Sequence, residues 1–503
     1  MAVRIETERD PERLRQIALL LEKENRHLHR RLAELTAKLA AATGADAIAQ
    51  LQLELKLLHE QLAKKNQALF GRSSEKRPKG EAGDAPEKGA ASTERRGHGP
   101  REQKALPQVE QIHLLDEPDR VCPGCGGELR EMKGQYEESE EIDVIQREFR
   151  VVRHKRQKYV CRCGECVETA PGPAKLIPGG RYSVDFAIAV AVAKYLDHAP
   201  LARQERQMRR EGLVVDRQTL WDQIFALHRH LVPTWEALLA DVLAAPVILA
   251  DETRWPLLGS AEATKWHAWG IASEEAIAYR ILSSRSVSAA KEVLGAFQGT
   301  ALVDGYGAYG ALQSSRAGPT FVLAYCWSHV RRKYVDAEPH HPKATEMIEK
   351  IGALYEIERR ASEAPAEERI AVRAELRRVE SKPIIDDIYR WVTSEQALPR
   401  SLLGKALAYT RQLWPGLVRF VDDGRIPLDT NQLERGMRAL ALGRKNHFGS
   451  RSERGTQVAA IFYSLFETAK LVGVDPAAYL AEATRRAIAN PGAVTLPRHL
   501  VSP

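Results

Sequence analysis

The feature that most constrains this 503-residue chain is a change of hydrophobic period near Ala245. APVILAD is a short apolar run that ends in Asp251. KWHAWGIAS and AIAYRILSS follow as two more runs, and SAAKEVLGAF then takes helical spacing. TALVDGYGAY is again a run, interrupted by Asp304, and FVLAYCWSHVRRKYVD passes from run to helix. Short apolar runs bounded by turn residues predict strands, and recurrence at three and four predicts helices. The predicted order is therefore β-β-β-α-β-α.

In a ribonuclease H-like α/β core with that order, the first and fourth strands are neighbours, so acidic residues at their ends fall side by side. Strand ends are where an α/β sheet opens a crevice. Two carboxylates there can hold divalent cations through oxygen, which makes Asp251 and Asp304 candidate Mg²⁺ (or Mn²⁺) ligands. Taken singly, each is equally readable as a turn-forming aspartate. A third carboxylate is needed for a two-metal site. Residues 341–424 contain no strong strand and repeat helically, as at Ile348, Ile351, Leu354 and Tyr355, so they read as a helical insertion. IPLDTNQLERGMRALALGRKNHFGS comes next. There Asn431 can cap a helix whose first turn carries Glu434, the third candidate. The competing reading is a capping box, Asn431 with Glu434 three residues on. Arg435, Arg438, Arg444 and Lys445 follow Glu434 and are candidate phosphate contacts, or else a solvated basic face. Cys326 and His329 sit at helical spacing. Two ligands alone make a poor zinc site, so packing near the centre is the preferred reading for them.

Leu14, Leu21, Leu28 and Leu35 recur every seven residues, with Ala18, Asn25, Leu32 and Leu39 on the second seam. Ile48, Leu51, Leu55, Leu58, Leu62 and Leu69 resume after Gly44. Residues 10–70 thus read as a leucine-zipper coiled coil that self-associates, with one Asn at a seam position that fixes register; a helical hairpin packed on the body is the alternative. Residues 71–108 are polar and rich in Gly, Pro and charge, the composition of a flexible linker. Residues 109–172 hold five of the six cysteines, in CPGC and CRCGEC. Two chelating pairs describe a small zinc module. Cys122 and Cys125 form the first pair, and Cys163 with Cys166 forms the second by its two-residue gap, leaving Cys161 spare. Residues 173–240 are helical. Arg203, Arg206, Arg209, Arg210 and Arg217 crowd a helix-turn-helix-like stretch around Gly212, readable as a DNA-binding segment or as a plain basic hairpin.

The net charge of +7 and pI near 9.0 suit a polyanionic partner but do not demand one. No apolar run approaches the roughly 20 residues that span a bilayer, and the N-terminus lacks a signal-peptide core. The chain is expected to stay in a reducing cytoplasm, where clustered cysteines favour metal over disulfides.

Several stretches together resemble one family. They are LFGRSSEK, CPGCGG, KLIPGGRYS, ADETRW, DGYGAY, CWSHVRRKY, TNQLERGMRALALGRKN and ETAKLVGVDPAAYL. The chain resembles transposases of the insertion sequence sixty-six family from near residue 14 to near 480. The resemblance implies a multidomain α+β chain. It would comprise the zipper, the zinc-binding domain, a DDE catalytic domain over 241–475 with its insertion, and a C-terminal segment over 476–503. It implies that Asp251, Asp304 and Glu434 are the acidic triad. The implied activity is metal-dependent strand cleavage at transposon ends and strand transfer into target DNA, in a bacterial cytoplasm and with small accessory proteins as possible companions. Two departures stand out: the extra cysteine in the second group, and a shorter, less apolar tract after GRKN. The competing functions are a ribonuclease H-like nuclease or resolvase without joining, an inactive DNA-binding regulator, and a coiled-coil adaptor, against which the long α/β region argues.

Overall fold

The computed structural model describes residues 148–160, 167–259, 265–316 and 320–501, with Glu34, Leu55, Glu110, Ile112, Cys125 and Glu128 before them. Apart from Leu55, the seam residues of 10–70, with the linker 71–108 and Cys122, Cys161, Cys163 and Cys166, lie outside the described residues. Strands β1 (Lys158–Val160) and β2 (Val167–Thr169) pair antiparallel, Val160 opposite Val167, so the second cysteine group falls in their connection.

Three helices precede the main sheet: α1 (Val184–Tyr195), α2 (Leu201–Arg210) and α3 (Arg217–Ala244). Side-chain caps start two of them, Ser183 accepting from Phe186 and Asp216 from Thr219, each satisfying a first-turn N–H that has no helical partner. The α2–turn–α3 stretch is two helices joined around Gly212, a shape common to both a helix-turn-helix and a plain basic hairpin. Gln204 and Met208 face inward, while Arg203, Arg206, Arg209, Arg210 and Arg217 are exposed.

The strands of the main sheet come in the predicted order, but the TALVDGYGAY run ends at Val303 and a helix not foreseen begins at Gly307. This region consists of β3 (Val247–Arg254), β4 (His267–Ala272), β5 (Ile277–Leu282), α4 (Val287–Leu294), β6 (Thr300–Val303), α5 (Gly307–Ser315), β7 (Val322–Tyr325) and α6 (Trp327–Ala337). Spatially the strands run β5-β4-β3-β6-β7. The β5-β4-β3 hairpins are antiparallel, and β3, β6 and β7 are parallel. Helices α7 (Ala344–Ser362), α8 (Arg369–Leu376), α9 (Lys382–Ser394) and α10 (Leu402–Leu417) fill the insertion. The chain returns to the sheet in α11 (Asn431–His447) and α12 (Glu453–Leu471) and ends in α13 (Pro476–Ala489).

The β5 edge is closed by side chains. Ser464 of α12 accepts from Tyr279 N at 2.8 Å, and Thr468 accepts from Ile277 N at 2.9 Å and donates back to Ile277 O at 2.8 Å. A helix laid on an edge strand removes the template that edge would offer another chain. Nearly every residue of α12 from Gly455 to Ala469 is buried, so this helix is the spine between sheet and helical layer. The segment after 476 packs too, burying Tyr479, Leu480 and Ala483. No single described helix is long and apolar enough to cross a membrane.

Candidate metal centre

Strand register sets the site. β3 and β6 pair in parallel up to Leu249 opposite Leu302. Asp251 and Asp304 each lie two residues further on, so they stand level on neighbouring strands and, by the period of two, on the same face. β6 and β7 pair up to Val303 opposite Tyr325, and Cys326 N donates to Val303 O at 3.1 Å. Cys326 is therefore the next member of the same row. Gly305 turns the chain away at φ +87°, a conformation open to glycine, and a Cβ there would meet Leu413 at 2.8 Å.

On the other side, Asp251 pairs with Gly270 of β4. The absent side chain lets α11 lie flush on the sheet. A Cβ on Gly270 would come within 2.7 Å of Met437 and 2.9 Å of Leu433. Those two residues bracket Glu434, so the close approach at Gly270 fixes where this stretch of α11 lies on the sheet. The capping reading of Glu434 does not hold. Thr430, not Asn431, is the N-cap residue, and Asn431 is the first helical residue, bonded through N and Nδ2 to Asp429. The Glu434 carboxylate accepts from Thr430 Oγ1 at 3.1 Å and stands 3.9 Å from His329 Nε2.

The electrostatics are those of a charge excess. Burial, then Glu252, then Asp304 push Asp251 up to about 7, with the Glu252 N–H and His329 only partly opposing. Asp251 Oδ1 accepts that N–H at 2.7 Å, and Asp304 Oδ1 accepts from Tyr306 N at 2.8 Å. The Tyr409 hydroxyl donates to the Asp304 carbonyl. Burial works against protonation of His329, yet Cys326, Glu434 and Asp304 hold it up at about 9. For Cys326, burial pulls upward, but His329, Ser328 and Thr430 bring the thiol below its ordinary value.

Sequence reasoning missed a supporting set. Glu252 points to the opposite face of β3 and is held by the Arg285 guanidinium and by the Tyr309 hydroxyl at 2.8 Å. Arg285 lies over the Tyr306 ring at 3.7 Å and reaches Asp304 Oδ2 at 4.0 Å. The signal was present in ADET, where two adjacent acids on a strand must face opposite ways. The partner Arg285 lies in a loop, where no period marks it. Of the four basic candidates on α11, Arg435, Arg438 and Lys445 are exposed. Arg444 instead turns inward, donating to Thr253 Oγ1 at 3.2 Å and to the Arg254 carbonyl. It braces the end of β3. Asp429 is half-buried just before this helix, and Glu453 is exposed at the start of α12.

The family described as "Transposase IS66 family" matches residues 179–458, and the "zinc-finger binding domain of transposase IS66" matches 119–164. The chain belongs to the IS66 transposase family. Similar relatives come from Sinorhizobium fredii. "Uncharacterized protein y4jD" is 33% identical over 406 residues, 77% of this chain and 78% of the relative. "Uncharacterized protein y4hP" is 30% identical over 411 residues, 76% and 73% of the two chains. The zinc-finger match takes in Cys122, Cys125, Cys161 and Cys163 and stops short of Cys166. As a transposase the chain must handle DNA, and its zinc-finger domain calls for Zn²⁺.

Proposed function

We propose that this transposase cuts strands at its element ends and joins them to target DNA through divalent metal held by Asp251, Asp304 and Glu434. The observation that carries this is the level pair of aspartates on adjacent parallel strands, with the stretch of α11 that bears Glu434 packed over Gly270. The five-stranded mixed sheet is the arrangement a ribonuclease H-like core requires. An all-oxygen donor set of three acids fits Mg²⁺ or Mn²⁺. Asp251, pushed up to about 7, marks a carboxylate whose charge the protein leaves uncompensated.

Metal bound there supplies charge neutralisation at phosphorus and activates the attacking hydroxyl. The chain's own groups do the rest. Tyr306 N and the Tyr409 hydroxyl fix Asp304. The Glu252–Arg285–Tyr309 set holds the opposite face of β3. Arg435, Arg438 and Lys445 lie on the exposed face of the helix that bears Glu434, placed to neutralise phosphates flanking the scissile bond. The exposed arginines of α2 and the start of α3 form a second basic surface for DNA. The zipper of 10–70 pairs two chains so that two ends are held together. In the cysteine module, Cys122 and Cys125 bind Zn²⁺ with Cys163 and Cys166, and Cys161 is the competing ligand.

The test is incubation of labelled element ends with the full chain, with and without Mg²⁺, then mapping of nicks and of joined products. Metal-dependent nicking with joining is expected. Nicking without joining would turn the reading to a nuclease or resolvase, and binding without nicking in any divalent metal would turn it to a regulator.

A further inference from the structure

Cys326 is 1% exposed, and its sulfur is unusually well served for a buried thiol. It accepts from Thr430 N at 3.4 Å and lies 3.4 Å from Thr430 Oγ1 and 2.9 Å from Ser328 Oγ. His329 stands one helical turn on, with its Nδ1 buried and without a hydrogen-bond partner. From sequence these two residues were a ligand pair too small to hold an ion. The fold adds a third donor, because ligand atoms of Cys326, His329 and Glu434 all lie within 4.8 Å of one another. Thr430 then serves as a shared support, donating its N–H to the sulfur and its hydroxyl proton to Glu434 Oε1.

Sulfur, imidazole and carboxylate are not the donors Mg²⁺ selects; they suit Zn²⁺, which takes three protein ligands and leaves a fourth position open. We propose that Cys326, His329 and Glu434 form a binding site for a thiophilic divalent cation, Zn²⁺, separate from the cysteine module. The site shares Glu434 with the three-acid centre, so zinc bound here competes with Mg²⁺ for that carboxylate and inhibits cleavage. The inhibitory consequence rests on the proposed metal-centre function; the binding site itself does not.

The experiment uses the full chain as wild type, Cys326→Ser and His329→Asn, each checked for folding by circular dichroism and gel filtration. Serine keeps an acceptor for Thr430, so the first turn of α11 stays placed while the soft ligand is lost. After equilibration with micromolar Zn²⁺ and desalting, the wild type is expected to hold one more zinc per chain than either variant. Co²⁺ loading should give a sulfur-to-metal charge-transfer band that is reduced in the Cys326→Ser difference spectrum. Zinc inhibition of Mg²⁺-dependent nicking, measured against each protein's own zinc-free rate, should need at least about tenfold more zinc in the variants, since even indirect losses around a metal weaken it that much. Equal zinc content in all three folded proteins overturns the site. A lost zinc with unchanged inhibition overturns the sharing of Glu434. Absence of nicking in every protein counts against the proposed function and leaves the zinc count to decide the site.

Discussion

Two regions of this molecule bury charge in opposite ways. In the helical insertion, Arg377 is fully buried, and the protein answers its charge in full. Glu358 accepts from Nε and Nη2 at 2.7 and 2.8 Å, and the carbonyls of Phe420 and Asp423 take Nη1 at 2.7 and 3.0 Å. At the strand ends, Asp251 and Asp304 stand level on the same face, and the main nearby influences on Asp251 are burial and two more carboxylates. A compensated charge is architecture. At the strand ends Arg285 comes only to 4.0 Å of Asp304, and Asp251, raised by burial and neighbouring carboxylates, keeps unfavourable energy that a cation would relieve.

The largest effect should come from removing the uncompensated acids. Asp251→Asn, Asp304→Asn and Glu434→Gln should each lower Mg²⁺-dependent nicking at least about a thousandfold, some 4 kcal/mol of barrier, while gel shifts on the same DNA in Ca²⁺ persist. Stability should move the other way. The raised pKa of Asp251 means that its own contribution to stability is fully present below 3.8 and is lost as pH rises through about 7. In Mg²⁺-free buffer at pH 8, Asp251→Asn should melt above wild type, by on the order of 1 kcal/mol or more, and the gap should close on acidification. A lower melting temperature for Asp251→Asn at pH 8 would place Asp251 with the architectural charges.

Much of this contrast was legible in the sequence, and what was not has a physical reason. Apolar runs and helical spacing revealed the strand order, and order alone put Asp251 beside Asp304. Glu434 was found on its helix, but its neighbours Thr430 and His329 were not. A capping box is a local pattern, whereas the contact with Thr430 and His329 depends on how α11 crosses the sheet. That crossing rests on Gly270, a residue with no side chain to announce itself. Arg444 looked like its basic neighbours because charge is visible in sequence and direction is not.

The compensated region should fail differently. Arg377→Met leaves half-buried Glu358 with Arg373 Nε at 3.4 Å and two backbone carbonyls without their donor, and should cost roughly 1–3 kcal/mol. Arg377→Met with Glu358→Leu should regain most of it. Urea denaturation of the three proteins measures this, and a double variant no better than the single would mean that the carbonyl contacts dominate.

Gly270→Ala probes the join between sheet and α11. The added methyl meets Met437 and Leu433 and should destabilise by about 1–3 kcal/mol. Nicking should fall further than the folded fraction does, because α11 shifts as a body and takes Glu434 with it. Loss of activity in strict proportion to loss of fold, read by nicking and circular dichroism on one preparation, would show that the acids tolerate the shift.

The smallest effects should separate charges that look alike on α11. Arg435, Arg438 and Lys445 are exposed, whereas Arg444 is tied to Thr253 and Arg254 at the end of β3. A lysine or arginine on a phosphate releases a counterion, so Arg435→Gln, Arg438→Gln and Lys445→Gln should each reduce the salt dependence of DNA binding by about one unit of slope, without changing the melting temperature. Arg444→Gln should leave the slope alone and lower the melting temperature, because its loss frees the strand that carries Asp251. Gel shifts from low to moderate salt, set beside thermal melts, give both readouts. A slope change for Arg444→Gln equal to that of its neighbours would mean that its guanidinium leaves β3 for the phosphate when DNA binds. Arg444 would then join the metal-side acids as a charge held in readiness.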